Sequence, residues 1–122
     1  MDDRERKEAG RAGEDAALRY LERRGLTLIV RNYRCNGGEI DLVMLDGATL
    51  VLVEVRYRAS DRFGGAAASI TWRKQQRIAR AARHLLRVRP QLCAHPARFD
   101  VVAIAGNGGV TQVNWITNAF TL

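Results

Sequence analysis

The chain of 122 residues has only two cysteines and no long apolar run. Cys35 and Cys93 form neither a CxxC pair nor another ligand pattern, and a chain of this length does not need a disulfide framework. No stretch reaches the roughly 18 apolar residues of a membrane span, and the amino end is charged from its start. We therefore expect a cytoplasmic protein that is neither secreted nor inserted in a membrane.

Acidic residues are also in the minority, with 13 against 20 basic residues and a formal net charge of +7. Two of the basic residues, Lys7 and Lys74, are lysines and the others are arginines. This balance favours a polyanionic partner such as nucleic acid, although many basic proteins have no such partner. Since 47% of the residues are hydrophobic and 27% are charged, we expect one globular domain over residues 1–122, with residues 1–9 disordered or frayed.

The apolar spacing predicts alternating helices and strands. A first helix runs from about Ala9 to Arg24, with Gly25 as its cap, and a second from Thr71 to about Val88. Strands are predicted at "LTLIVRNYR", "EIDLVML", "TLVLVEVRYR", "RFDVVAIA" and "VTQVNWITNAF", with a hairpin at "DGA" and a loop at "ASDRFGGAAASI". Because a strand, a helix and a strand in succession imply a parallel crossover, the sequence predicts an α/β fold whose mixed sheet is flanked by helices.

Two acidic residues, Asp41 and Glu54, interrupt apolar strands in which an unpaired carboxylate is costly to bury. If the hairpin register brings them together, the two like charges need a cation between them. Mg²⁺ or Mn²⁺ suits such a site, and the backbone carbonyl of Val55 offers another oxygen ligand. The alternative is an ion pair between each acid and a neighbouring arginine.

Each helix adds candidates to this site. Glu14 extends the apolar stripe of the first helix toward the sheet, although it could instead favour the helix dipole and reach solvent. Lys74 lies near the sheet-facing side of the second helix, where it either points toward the acids or extends along the edge of the core. We expect Trp72 and Trp115 to pack in the core, with base stacking or an interface as the alternative.

The second helix also carries a basic stripe at helical spacing, made of Arg73, Arg77, Arg80, His84 and Arg87. Such a stripe is usually a solvated face, but on a basic chain it could follow phosphates. His84 and His95 have no metal-ligand spacing, so we assign neither to a metal.

A series of blocks resembles the bacterial YraN-type family along most of the chain. The blocks are "GEDAALRYLERRGL", "RNYRCNGGEIDLVMLDG", "LVLVEVRYR", "FGGAAASITWRKQQRIARAARHLL", "RFDVVAI" and "NAF". That family is similar to the archaeal Holliday junction resolvases of the restriction-endonuclease-like superfamily. The resemblance implies an αβββαβ core, a metal-dependent nuclease acting on DNA, and, by analogy, a homodimer.

The resemblance also implies roles for single residues. Asp41 and Glu54 match the metal-binding acids, and Glu14 matches a first-helix glutamate of the resolvase-like branch. Arg56 stands where the superfamily usually has lysine, and Lys74 matches a basic position to which some members move the catalytic lysine. Glu39 belongs to the "GEID" block, and its part in the chemistry stays open.

The sequence thus predicts a Mg²⁺- or Mn²⁺-dependent endonuclease for branched or damaged DNA. Arginine stays charged and cannot act as a base, but Arg56 can stabilise charge on a phosphate. The expected nucleic-acid contacts are Arg58, Arg73, Arg77 and Arg80. The alternative is a catalytically silent nucleic-acid-binding module on the same fold. In either case we expect DNA rather than RNA as the partner.

Overall fold

The computed structural model describes residues 2–58, 70–107 and 110–121. Helices α1 and α2 comprise Asp3–Arg23 and Trp72–Val88, and a short 3-10 helix spans Pro90–Ala94. The strands are β1 Thr27–Cys35, β2 Gly38–Asp46, β3 Thr49–Arg58, β4 Ala97–Asn107 and β5 Val110–Phe120. The predicted order of elements is confirmed. The predicted loop at 59–70 lies, apart from its last residue, outside the described residues.

The ends of the helices follow local capping chemistry. Asp2 accepts a hydrogen bond of 2.8 Å from the Glu5 amide, so α1 begins at Asp3 rather than near Ala9. The residues from 3 to 9, which we expected to be disordered or frayed, are therefore helical. At the other end Gly25 has a φ of 92°, the left-handed conformation that a glycine cap provides.

The α2 helix begins where the sequence predicts. The Thr71 hydroxyl accepts a hydrogen bond of 3.1 Å from the Lys74 amide, and Trp72 is the first helical residue. This cap fixes the first turn of α2, which carries Lys74.

The five strands form one mixed sheet in the order β1-β2-β3-β4-β5. The β1–β2, β2–β3 and β4–β5 pairs are antiparallel, whereas β3 and β4 are parallel. The parallel pair follows from the connection between β3 and β4, which contains α2 and returns the chain in the same direction. The predicted mixed sheet is confirmed.

One helix covers each face of the sheet. On the first face, Ala17 and Leu21 of α1 pack against Leu42, Val53 and Val102. On the second face, α2 contributes Ile78, Ala81, Ala82 and Leu85 to a cluster that includes Val43, Leu50 and Leu52. This α/β architecture is consistent with a restriction-endonuclease-like core. Neither described helix has the length and apolarity to cross a membrane.

Candidate functional site

Asp41 and Glu54 lie side by side where β2 and β3 separate. The antiparallel ladder ends at the pair of Leu42 with Val53, and Asp41 and Glu54 are the next residues of the two strands. There the Val55 amide donates a hydrogen bond of 2.8 Å to Asp41 Oδ2, so a side chain accepts where a backbone carbonyl would otherwise do so. This arrangement brings together two acids from adjacent strands.

The surroundings of the two acids disfavour their charged forms. Glu54 is only 4% exposed. Burial, followed by the charge of Asp41, raises the pKa of Glu54 to about 8. Burial also raises the pKa of Asp41, although the hydrogen bond from Val55 opposes this change. Without a further cation the pair therefore tends to retain a proton near neutral pH.

Lys74 brings a positive charge to the acids from α2. Its Nζ lies 3.3 Å from Glu54 Oε1 and 3.3 Å from Glu39 Oε1. Burial lowers the pKa of Lys74, but the nearby charges of Glu54 and Glu39 act in the opposite direction and the net result is a raised pKa. Lys74 therefore points toward the acids and does not extend along the edge of the core, which was the alternative expectation.

Two buried polar atoms of β3 have no hydrogen-bond partner, namely Glu54 Oε2 and Arg56 Nε. They are the only such buried side-chain atoms found among the described residues. Glu54 and Arg56 are two positions apart and so lie on the same face of the strand. Since buried polar groups are normally paired, this acceptor and this donor on one face of β3 are available to bind water or a ligand.

Asp100, the other acid classed as buried, shows how this chain satisfies a structural carboxylate. Its side chain is 0% exposed. It accepts hydrogen bonds from Arg98 Nε at 3.0 and 3.1 Å, from Trp115 Nε1 at 2.9 Å and from the Asn118 amide at 2.9 Å. Asp100 is not among the predicted site residues, although its position in "RFDVVAI" carries the same signal as Asp41 and Glu54. Its contacts tie β4 to β5, and they leave neither oxygen free for a ligand.

Glu14 lies near the acid pair but is held by another partner. Its Oε1 lies 2.5 Å from Arg31 Nε of β1, and Asp15 also contacts the Arg31 guanidinium. The negative charge of Glu14 contributes to the raised pKa of Asp41. Glu14 thus faces the sheet, as predicted, and acts on Asp41 through its charge.

The donors at the acid pair suit a hard divalent cation. Among the described residues no group of three or more His, Cys, Asp and Glu side chains could hold a metal ion by itself. Two carboxylates, with Glu54 Oε2 unsatisfied, are nevertheless the usual protein contribution to a Mg²⁺ site that keeps several waters. The Val55 carbonyl lies on the same edge of β3 as its amide, and hence on the side of Asp41.

The turn between β1 and β2 positions Glu39 against α2. A Cβ atom on Gly38 would lie 2.6 Å from the Arg77 carbonyl oxygen and 2.7 Å from the Ala81 amide nitrogen. Because these are backbone atoms of α2, only glycine permits this close approach. The approach puts Glu39, the next residue, within reach of Lys74. Gly38 is not among the predicted residues, and the sequence signal for its contact with α2 is the motif "NGGE".

The predicted nucleic-acid contacts on α2 are accessible. Arg73, Arg77 and Arg80 are exposed, whereas the side chain of Arg58 lies outside the described residues. Trp115 packs against the core cluster, as expected. The prediction of a core position for Trp72 is wrong, because this side chain is 74% exposed at the first turn of α2.

The amino-acid sequence matches a bacterial protein family. The model of "Uncharacterised protein family UPF0102" matches residues 13–104. A UPF0102 protein of Pseudomonas entomophila is 53% identical over 113 residues, covering 92% of both chains. A UPF0102 protein of Herminiimonas arsenicoxydans is 56% identical over 113 residues, which is 90% of this chain and 84% of the relative. The chain therefore belongs to the uncharacterised protein family UPF0102.

Proposed function

We propose that this chain is a metal-dependent nuclease that acts on DNA, with branched or damaged structures as its substrates. The observation that carries this proposal is the pair of unsatisfied atoms on β3, Glu54 Oε2 and Arg56 Nε. The first lacks a cation or donor, and the second lacks an acceptor. A divalent cation together with a DNA phosphate supplies both at one place.

In this proposal Asp41 and Glu54 hold Mg²⁺ or Mn²⁺, and the Val55 carbonyl provides a third oxygen. Asp41 has a second carboxylate oxygen besides the one that accepts from Val55. When bound, the cation supplies Lewis-acid activation of water. The raised pKa of Glu54 supports this assignment, because a cation favours the ionised form that burial disfavours.

The cationic side chains act on the phosphate rather than as bases. Arginine does not deprotonate in proteins, so Arg56 can donate hydrogen bonds to the phosphate and stabilise its developing charge. Lys74 has a raised pKa and stays protonated at neutral pH, so it too acts as a positive charge. Glu39 orients Lys74 through the contact of 3.3 Å.

The remaining assignments belong to the same proposal. Arg58, Arg73, Arg77 and Arg80 contact the DNA backbone outside the acid pair, which makes binding sensitive to salt. DNA rather than RNA is the partner, the protein is a homodimer by analogy with the resolvases, and its location is cytoplasmic.

A second candidate function is nucleic-acid binding without catalysis. The position of Lys74 favours it, because an ammonium 3.3 Å from both Glu54 and Glu39 neutralises acidic charge without a metal. This candidate predicts salt-sensitive DNA binding that is independent of Mg²⁺ and Mn²⁺.

A cleavage assay separates the two candidates. Branched and linear DNA substrates are incubated with Mn²⁺ and with wild type, Asp41→Asn, Glu54→Gln or the exposed-surface control Glu22→Gln. We expect cleavage by wild type and Glu22→Gln only, with DNA affinity largely kept in all four proteins. Cleavage by Asp41→Asn and Glu54→Gln at the wild-type rate would disprove the proposed site. DNA binding by the wild type without any cleavage would instead support the silent module.

A further inference from the structure

Trp72 presents a large aromatic surface to solvent at the start of α2. Its side chain is 74% exposed, against 39% for Tyr57 and 60% for Val88, the other exposed large hydrophobic residues in the described part of the chain. Tryptophan is on average a well-buried residue because of its large apolar area. An indole that is three quarters exposed is available to stack on a flat ligand.

The helix that carries Trp72 is entirely basic in its charge. Its 17 residues contain six cationic side chains and no acidic one. The cationic residues are Arg73, Lys74, Arg77, Arg80, Arg83 and Arg87. At 100° per residue, Trp72 shares the outer side of the helix with Arg80, Arg83 and Arg87. An exposed aromatic ring in line with arginines matches a ligand that combines negative charge with flat rings.

Trp72 is also close to the acid pair along the chain. Lys74, only two residues further, reaches Glu54 Oε1 at 3.3 Å. Two residues correspond to about half a helical turn and about 3 Å of rise. Trp72 therefore lies on the opposite side of α2 from Lys74, so a single bound strand would cross the start of the helix to contact both.

We propose that Trp72 is a stacking platform for an unpaired base of a strand that binds along the basic outer side of α2. This inference rests on the nucleic-acid part of the proposed function. Bases inside a continuous duplex have both faces covered by their neighbours, so the exposed indole favours strands with unpaired nucleotides. Among branched and damaged structures, flaps, forks and gaps contain such nucleotides. The charge of α2 favours nucleic acid over a protein partner as the occupant.

The test compares Trp72→Ala with wild type in binding a single-stranded oligonucleotide and a blunt duplex of equal length. Salt is fixed and EDTA is present, so that binding is measured apart from cleavage. Val88→Ala is the matched control, because it truncates another exposed apolar residue of the same helix. Stacking on an aromatic side chain is worth about 5-fold to 150-fold in affinity per base.

We expect Trp72→Ala to lose single-strand affinity within that range and to keep its duplex affinity within about 2-fold. Trp72→Phe should recover part of the loss because phenylalanine also stacks, and Val88→Ala should match wild type. Unchanged single-strand affinity in Trp72→Ala would overturn the inference, as would equal losses on both ligands. A change in the sedimentation of the free protein with unchanged DNA binding would also overturn it, and would point to self-association.

Tryptophan fluorescence gives a second readout, because the chain has only two tryptophans. The difference in emission between wild type and Trp72→Phe isolates Trp72 and leaves Trp115 in place. We expect the single strand to quench this emission and the duplex to leave it nearly unchanged. If wild type cleaves DNA while Trp72→Ala binds and cleaves normally, only the stacking inference falls. If wild type binds no nucleic acid, both the stacking inference and the proposed function are wrong.

Discussion

Replacing Glu54 by glutamine tests the electrostatics of the site without a substrate. In the metal-free protein, burial and the charge of Asp41 raise the pKa of Glu54 from 4.5 to about 8. A carboxyl group whose pKa is higher in the folded than in the unfolded chain binds its proton more tightly in the folded state. Its contribution to stability is therefore fully present below about pH 4.5 and is lost as the pH rises through about 8.

The size of this effect follows from the same two pKa values. Each pH unit between them lowers the free energy of unfolding by about 1.4 kcal/mol, so the full effect is about 5 kcal/mol. Asp41 and Lys74 respond to the same charge and share part of the change. We expect at least about 2 kcal/mol to appear between about pH 5 and about pH 8. Glu54→Gln has no such proton to lose, so relative to wild type it gains stability by that amount as the pH rises.

The assay is urea denaturation of wild type, Glu54→Gln and Glu22→Gln in EDTA at several pH values. Glu22 is exposed, so its variant should follow the wild-type curve in parallel. A difference between Glu54→Gln and wild type that stays constant with pH would refute the reasoning. A second series with Mn²⁺ should stabilise wild type near neutral pH and leave Glu54→Gln almost unchanged, because only wild type has both carboxylates.

Three further predictions concern the site and its support. Binding of Mn²⁺ at pH 7 should release about one proton, because Glu54 ionises when the metal binds. Titration calorimetry in buffers of different ionisation enthalpy measures the number of protons released. A number near zero would contradict the assignment of Glu54 as a metal ligand. Gly38→Ala should lower the free energy of unfolding by about 1–3 kcal/mol, because the added Cβ would overlap with the α2 backbone. Gly10 has open space around it, so the control Gly10→Ala should be neutral or slightly stabilising. Thermal denaturation of both variants measures the difference. Asp100→Asn should lower the free energy of unfolding by about 2–4 kcal/mol, because Arg98 loses its buried anion, and it should keep the affinity for Mn²⁺. Weaker Mn²⁺ binding at unchanged stability would contradict the structural role of Asp100.

Strand positions and the pairing of Asp41 with Glu54 were predictable because they depend on local patterns. Apolar residues continue through β2 and β3, and the short "DGA" link fixes how the two strands pair. Once the register is set, the alternation of side chains decides which acids meet. The apolar spacing likewise indicated that Lys74 lies near the sheet, although it could not show that the ammonium reaches Glu54.

Other features depend on contacts that a local pattern does not contain. Residues 3–8 are charged and have no apolar stripe, so the start of α1 is set by the Asp2 cap and not by hydrophobic spacing. The partners of Asp100 come from two positions of β5 and one of β4, and they meet only after those strands have paired. Trp72 was misplaced because residue type favours burial, whereas its place in the first turn of α2 decides its exposure.

The contact between Lys74 and the acids bears on whether the chain needs a metal ion in order to fold. Small zinc domains stay unfolded until their metal arrives, because metal binding supplies most of their folding free energy. Here an ammonium already lies 3.3 Å from Glu54 and Glu39. The fold therefore already holds a positive charge beside these acids, without a metal ion. If the proposed nuclease is correct, cellular activity would follow the supply of Mg²⁺ or Mn²⁺ rather than the amount of folded protein.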